Sequence, residues 1–244
     1  MIKGLYTSAS GMLPHTRKQE AVANNLANAS TPGYKKSDVF IRELSRAEAR
    51  HQVKKSDWQQ PMDIEQFTDY QQGSFDRTGN PLNLAIDGDG FFMIQLPNGE
   101  RGLTRSGSFV VDANGLLAVP GGGVVLGDGG PIEVGNEKIT VAATGEISAG
   151  NIQVGQIVPV TVADLTELPK VGGSLYLVPK DAQLIRLPQS TIQQGFLEAS
   201  NVDTVREMIE MIISFRAYEA NARAIESQDQ SLSQLLSKVA GSQR

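Results

Sequence analysis

The chain has 244 residues, 40% of them hydrophobic and 20% charged, with a net charge of −5 and a sequence pI of about 5.2. That length allows one large domain or two small ones with a sizeable core, and the acidic balance, without a basic stripe to neutralise phosphates, argues against nucleic acid as a main partner. Cysteine is absent, which removes disulfide, thiolate–metal and cysteine-nucleophile chemistry.

The first segment, Ile2 to about Ala29, reads as a helix. Ile2, Leu5, Ala9, Met12, Thr16, Gln19, Ala23 and Leu26 alternate three and four residues apart, the spacing of a coiled-coil seam, although Gly4, Gly11 and Pro14 interrupt it. Ser30-Thr31-Pro32-Gly33 then sets a proline and a glycine where a helix must end. The opening carries no apolar signal core followed by a cleavage site, so export would use another route. No apolar run in the chain approaches a membrane span, and direct membrane insertion is not expected.

Residues 34–73 read as an extended connecting segment, with apolar clusters at Val39-Phe40-Ile41 and Ile64 and a helical tendency around Arg42 to Arg50. Over residues 74–195 the pattern changes to short apolar runs separated by turn residues. Leu82–Ile86, Phe91–Leu96, Phe109–Val111, Val124–Leu126, Ile139–Val141, Val158–Val162 and Leu175–Val178 are the predicted strands. Asp87-Gly88-Asp89-Gly90, Pro97-Asn98-Gly99 and Asp112-Ala113-Asn114-Gly115 punctuate them, because Asn-Gly and Asp-Gly supply the positive φ angles of tight turns. Strands at this spacing predict an all-β sandwich or open barrel.

Residues 196–244 contain the strongest helical signal. Thr204-Val205-Arg206-Glu207 has the form of a capping box. From there Met208, Met211, Phe215, Tyr218, Ala222, Ile225, Asp229, Leu232, Leu236 and Val239 keep three-four alternation, and no glycine or proline intervenes before Gly241. Such a helix is roughly 55 Å long. Leaving its stripe in water would forfeit on the order of 10–20 kcal/mol, and one compact β domain cannot cover it. The expected fold class is therefore α+β: long N- and C-terminal helices forming an inter-chain coiled coil, with a central all-β domain. The plainer alternative is a two-helix hairpin within one chain. Asp229, the charged position in the stripe, either fixes register by accepting a hydrogen bond from a neighbouring helix or faces water.

Chemistry is hard to place on this chain. The two histidines, His15 and His51, lie outside the β region, so a Ser-His-Asp relay or a multi-histidine metal site is not expected. Asp87-Gly88-Asp89-Gly90 lacks the further oxygen ligands and closing Glu of a helical calcium loop, because Phe91-Phe92-Met93-Ile94 follows at once. Gly121-Gly122-Gly123 and Gly127-Asp128-Gly129-Gly130 lack the Lys-Ser/Thr of a phosphate loop. No catalytic residue, metal or cofactor is expected.

The stretch from Ala23 to Lys35, with Asn24-Asn25-Leu26-Ala27-Asn28 followed by Ser30-Thr31-Pro32-Gly33-Tyr34, resembles the N-terminal signature of bacterial flagellar basal-body rod and hook proteins. Gly4-Leu5-Tyr6-Thr7 and Ser10-Gly11-Met12 are similar to that family's opening. Leu84–Phe92, Thr104–Phe109, Gly195–Val202 and Arg216–Asn221 resemble further family motifs, in the same order across nearly the whole chain. The resemblance implies a structural rod subunit, exported by the flagellar type III apparatus and located in the periplasm-spanning rod. It implies an inner layer built from the terminal helices, and as partners other copies of the chain and other rod proteins. Leu5, Met12, Asn24, Asn25, Leu26 and Asn28, with the C-terminal stripe, are then the expected assembly interface. The short middle segment looks closer to a proximal-rod member; Arg216–Asn221 and Ser227–Gln230 resemble the distal rod and hook. A ligand-binding β domain on a coiled-coil stalk is the competing class, and a ligand bound by the isolated middle fragment would reveal it.

Overall fold

Two long helices bracket the chain: α1, Ile2–Ala27, and α2, Thr204–Gly241. The computed structural model describes residues 2–43, 62–135, 137–150, 152–179 and 181–241. The chain divides into a helical unit, Met1–Ala27, Ser37–Thr68 and Asp203–Arg244, and a β unit, Asn28–Lys36 and Asp69–Val202.

In the helical unit α1 runs through Pro14, which lacks the N–H that would bond four residues back. The helix tolerates this because its tertiary partner, not its own propensity, supplies most of its stability. That partner is α2. Ser214 Oγ donates to the His15 carbonyl at 2.9 Å, Lys18 Nζ meets Glu210 Oε2 at 2.6 Å, and Asn25 Nδ2 donates to Glu207 Oε2 at 3.0 Å. Numbers rising along α1 meet numbers falling along α2, so the helices are antiparallel neighbours within one chain. Gly11 belongs to this contact, since a Cβ there would stand 3.4 Å from the Asn221 side chain.

The start of α2 differs from the expected capping box. Asp203, one residue earlier, caps it: its Oδ1 accepts from the Val205 and Arg206 amides at 3.0 and 3.1 Å. Glu207 is instead turned inward to Asn25. The connecting stretch also differs from expectation. Ser37–Glu43 is a strand paired antiparallel with Met62–Thr68, in register from Ser37 opposite Thr68 to Glu43 opposite Met62. Val39, Phe40 and Ile41 favour a strand over the helix expected from Arg42; the remainder of that expected helix lies outside the described residues.

In the β unit an eight-stranded antiparallel sheet runs Lys170–Gly172, Leu175–Leu177, Arg101–Thr104, Phe92–Gln95, Gly123–Gly127, Leu117–Val119, Val110–Val111, with Gly130–Pro131 also on Gly123–Gly127. A three-stranded sheet, Ile139–Val141, Glu146–Ala149 and Ile152–Gln156, and three two-stranded ribbons complete the unit. Two ribbons are closed by the chain's return: Thr191–Gln194 pairs with Leu84–Asp87, and Phe196–Glu198 with Phe75–Arg77. Phe91 and Phe92 are adjacent in sequence and so point to opposite faces. Phe92 joins the larger core with Leu84, Ile94, Phe109 and Leu117, while Phe91 joins a smaller one with Leu103, Val160 and Tyr176. Within the smaller core Tyr70, Phe91 and Tyr176 pack ring to ring at 5.6–5.8 Å.

Candidate assembly surface and buried ionic junction

The β unit begins where α1 has ended. Gly33 has φ +67°, and a Cβ on it would lie 2.3 Å from the Arg105 carbonyl carbon, so only glycine fits. That fit seats the next residues, Tyr34 and Lys35, in the interior, where both are buried. Lys35 Nζ donates to Glu198 Oε1 and to the Gln71 carbonyl, each at 2.6 Å. Arg105 Nε donates to Glu198 Oε2 at 2.5 Å, and the Gly73 amide donates to Oε1 at 2.9 Å. The rest of the Arg105 guanidinium is held by carbonyls of the Asp87–Gly90 turn region: Ile86 at 3.1 Å, Gly88 at 2.6 Å, and Gly90. The positive φ of Gly88 and Gly90 turns those carbonyls inward. The Asp-Gly-Asp-Gly stretch therefore wraps a guanidinium with its backbone.

One carboxylate faces two cations here, and all three side chains are at most 5% exposed. Burial pushes the Lys35 amine below its ordinary pKa, while the bond and charge of Glu198 pull it back up. Around this centre three chain segments are cross-bonded. Asn201 Oδ1 accepts from the Lys36 amide at 2.7 Å, and Asn201 Nδ2 donates to the Asp69 and Gln71 carbonyls at 2.9 and 3.2 Å. The arrangement fastens chain; it presents no nucleophile with an adjacent base.

Lys170 lies against this junction, with Nζ 3.7 Å from the Tyr34 ring centroid and donating to the Lys35 carbonyl at 2.7 Å. Burial pushes its amine down to about 8, against the pull of the ring on the cation. A pH dependence follows. Below pH 8 both folded and unfolded chains hold the proton, and the folded one bears the cost of a half-buried cation. Between about 8 and about 10.4 the unfolded chain binds more protons, so stability rises with pH. Melting of the wild type relative to Lys170→Met is expected to improve steadily over that window. A difference independent of pH would show that Lys170 keeps an ordinary affinity for its proton.

In the helical unit the two sides of α2 differ in character. Towards α1 the fully buried positions of its first turns are polar, Glu207 and Ser214. Asn25 continues that polarity, taking the Ser37 amide on Oδ1 at 2.9 Å and giving Nδ2 to the Ser37 carbonyl at 2.8 Å as well as to Glu207. On the other side Val205, Met208, Ile209, Ile212, Ile213 and Phe215 are each more than half exposed. Their spacing of three and four residues puts them on one face. A surface helix normally has its apolar stripe inward; the first turns of α2 reverse this.

The residues expected at the assembly interface are distributed as follows. Met208 and Phe215 belong to the exposed face, and Asp229 is also exposed. Met211, Tyr218, Ala222, Ile225 and Leu232 are partly buried, as are Met12 and Leu26 of α1. Asn24 is exposed on α1, whereas Asn25 is buried in its own chain's network, so the two do not share a face. Asn28 lies past the end of α1, in the turn, where its Oδ1 accepts from the Thr31 hydroxyl at 3.2 Å. The side chains of Leu5, Leu236 and Val239 lie outside the described residues. Sequence reasoning missed Lys35, Arg105 and Glu198 as a group, although each stands in a motif singled out above.

Among the described residues no group of acidic or histidine side chains is arranged to hold a metal, and no helix is long and apolar enough to cross a membrane.

Residues 5–35 match the family described as flagella basal body rod protein. Residues 85–149 match the flagellar hook protein FlgE/F/G D1 domain, and residues 193–238 the flagellar basal body rod FlgEFG protein C-terminal region. The chain is 36% identical to the flagellar basal-body rod protein FlgF of Caulobacter vibrioides, over 93% of its own length and 94% of that protein. It is 36% identical to the FlgF rod protein of Salmonella typhimurium, over 94% and 95%. With the FlgG rod protein of Bacillus subtilis it shares 32% identity, over 97% and 98%.

Proposed function

The chain belongs to the flagellar basal-body rod protein family, and from that premise we propose that it polymerises through α1 and α2, whose copies form the inner layer of the rod. It is a structural subunit of the rod, and its place is the basal body. The observation that carries the polymerisation reading is the exposed apolar face of α2. Burying the remaining half of six such side chains is worth about 5–9 kcal/mol at ordinary burial energies, a gain that packing against a neighbouring chain would supply. The pairing of α1 with α2 inside one chain supplies the building block, and inter-chain helix packing joins the blocks.

The position we propose is the proximal rod, supported by the short middle segment. Its partners are further copies and neighbouring rod proteins, it reaches its site through the type III export apparatus, and it catalyses no reaction. Imaging of basal bodies carrying a labelled chain tests the position: density near the cytoplasmic end of the rod is expected. Density confined to the end next to the hook would assign the chain to the distal rod instead.

A further inference from the structure

The ribbon of Ser37–Glu43 and Met62–Thr68 has no third strand among the described residues, and a lone two-stranded ribbon is marginal in water. Its ladder ends with Ser37 opposite Thr68, at the two points where the chain passes between the helical unit and the β unit. The next pair in that register, Lys36 and Asp69, belongs to the β unit, and the Asp69 amide donates to the Lys36 carbonyl at 2.8 Å. An antiparallel rung of this kind normally exchanges two such bonds. Here a side chain replaces the second: Asn201 Oδ1 takes the Lys36 amide at 2.7 Å, and Asn201 Nδ2 gives to the Asp69 carbonyl at 2.9 Å. We infer that Asn201 is a register clamp, a positioning residue through which closure of the β unit fixes the pairing of the ribbon. Through Ser37 the clamp also fixes the bond between Asn25 and Glu207 that joins α1 to α2.

The chemistry of the gap selects asparagine. An amide donor and a carbonyl acceptor must be bridged by one short planar group that carries an acceptor and a donor side by side, as a peptide does. Aspartate has no donor, and its charge would face the Asp69 and Gln71 carbonyls that Nδ2 now serves at 2.9 and 3.2 Å. Register matters because a slip of one residue turns every side chain of a strand to the other face. Phe40, now exposed, and Val39, partly buried, would change places. The same slip would take Ser37 away from Asn25, which holds its amide at 2.9 Å and its carbonyl at 2.8 Å while donating to Glu207 at 3.0 Å. Two carboxamides thus grip consecutive residues, Asn201 at Lys36 and Asn25 at Ser37, each within its own unit. A displacement of one residue loses both grips together, and that couples them.

Amide hydrogen exchange along the full-length free chain tests the clamp, because it reads each segment separately. In Asn201→Ala, exchange across Ser37–Glu43 and Met62–Thr68 is expected to quicken about tenfold, the worth of hydrogen bonds partly replaced by water. Exchange in the Phe92–Gln95 and Arg101–Thr104 strands should stay as in the wild type. Asn201→Asp keeps the acceptor and loses the donor, so it should loosen the ribbon as much as alanine does. Asn25→Ala approaches from the other side: α1 and the first turns of α2 should exchange faster while the Lys36 and Asp69 amides stay slow. A ribbon unchanged in both Asn201 variants would overturn the inference, since the ribbon would then hold its own register. An equal quickening of Phe92–Gln95 would also overturn it, by making Asn201 a general support of the β unit. Loosening of Lys36 and Asp69 in Asn25→Ala would reverse the direction of the coupling and overturn the assignment of the clamp to Asn201.

Discussion

Glu198→Gln is expected to lower the stability of the β unit by about 3–5 kcal/mol, the usual cost of removing one partner from a buried ion pair. The substituted amide keeps the volume and loses the charge, so Lys35 and Arg105 would face each other in the interior without a counter-charge. The comparison with Lys35→Met gives the prediction its edge. That change leaves Arg105 and Glu198 as a neutral pair at 2.5 Å, with the guanidinium still held by three carbonyls, so it should cost distinctly less. Asp128→Asn, which breaks the exposed pair with Arg186, should cost about 0–1 kcal/mol. Denaturant melts of the three variants settle the order. If Glu198→Gln melted within about 1 kcal/mol of wild type, Lys35 would have to shed its charge or one of the two cations reach water, and the junction would not hold the unit together.

Ile212→Asp and Ile209→Asp should abolish incorporation into the rod, and with it motility, while leaving the melting of the free chain almost unchanged. Both side chains are already more than half exposed in the single chain, so a carboxylate there meets water and costs little. In the assembled state the same carboxylate would be buried among apolar groups, at a cost of several kcal/mol per contact, repeated in every subunit. Ile225→Asp is the contrasting case. Ile225 is partly buried in the single chain, so that change should weaken the helical unit itself. Swimming-plate assays and basal-body content read the first effect, and hydrogen exchange along α2 reads the second. Normal swimming by both exposed-face variants would remove the α2 face from assembly.

Much of the fold was legible in the sequence because its signals are local. The run Ile139–Val141 appears as a strand with the expected bounds, and Leu175–Val178 differs by one residue, since β-branched and aromatic runs bounded by glycine turns admit few other structures. The end of α1 before Pro32-Gly33 was similarly fixed by backbone sterics. The α2 seam was legible in length but not in direction. The three-four stripe straddles the boundary between two sides of the helix: Met208 and Phe215 are exposed while Met211 and Tyr218, three residues further on in each case, are partly buried, so the alternation alone does not say which side faces the partner. The cap was misplaced by one residue because Thr204 and Glu207 fit the capping pattern while Asp203, a stronger acceptor, stands beside them. The ionic junction had no local signal at all. Lys35 and Glu198 are 163 positions apart, and Arg105 and Glu198 are 93 apart; each reads alone as a surface charge.

Those separations bear on when the β unit can form. Loop closure across so many residues must come before the contacts that reward it, which makes such pairings slow. Glu198 and Asn201 reach their partners only after nearly the whole β unit has been laid down, and the strands Thr191–Gln194 and Phe196–Glu198 complete ribbons begun at Leu84 and Phe75. A chain emerging from its N-terminus through a narrow conduit would expose two cations still awaiting their carboxylate and two strands still lacking a neighbour. On the far side of such a passage the β unit could close only once Glu198, about four-fifths of the way along the chain, had come through, so compaction there before that point would be disfavoured by the order of the residues alone.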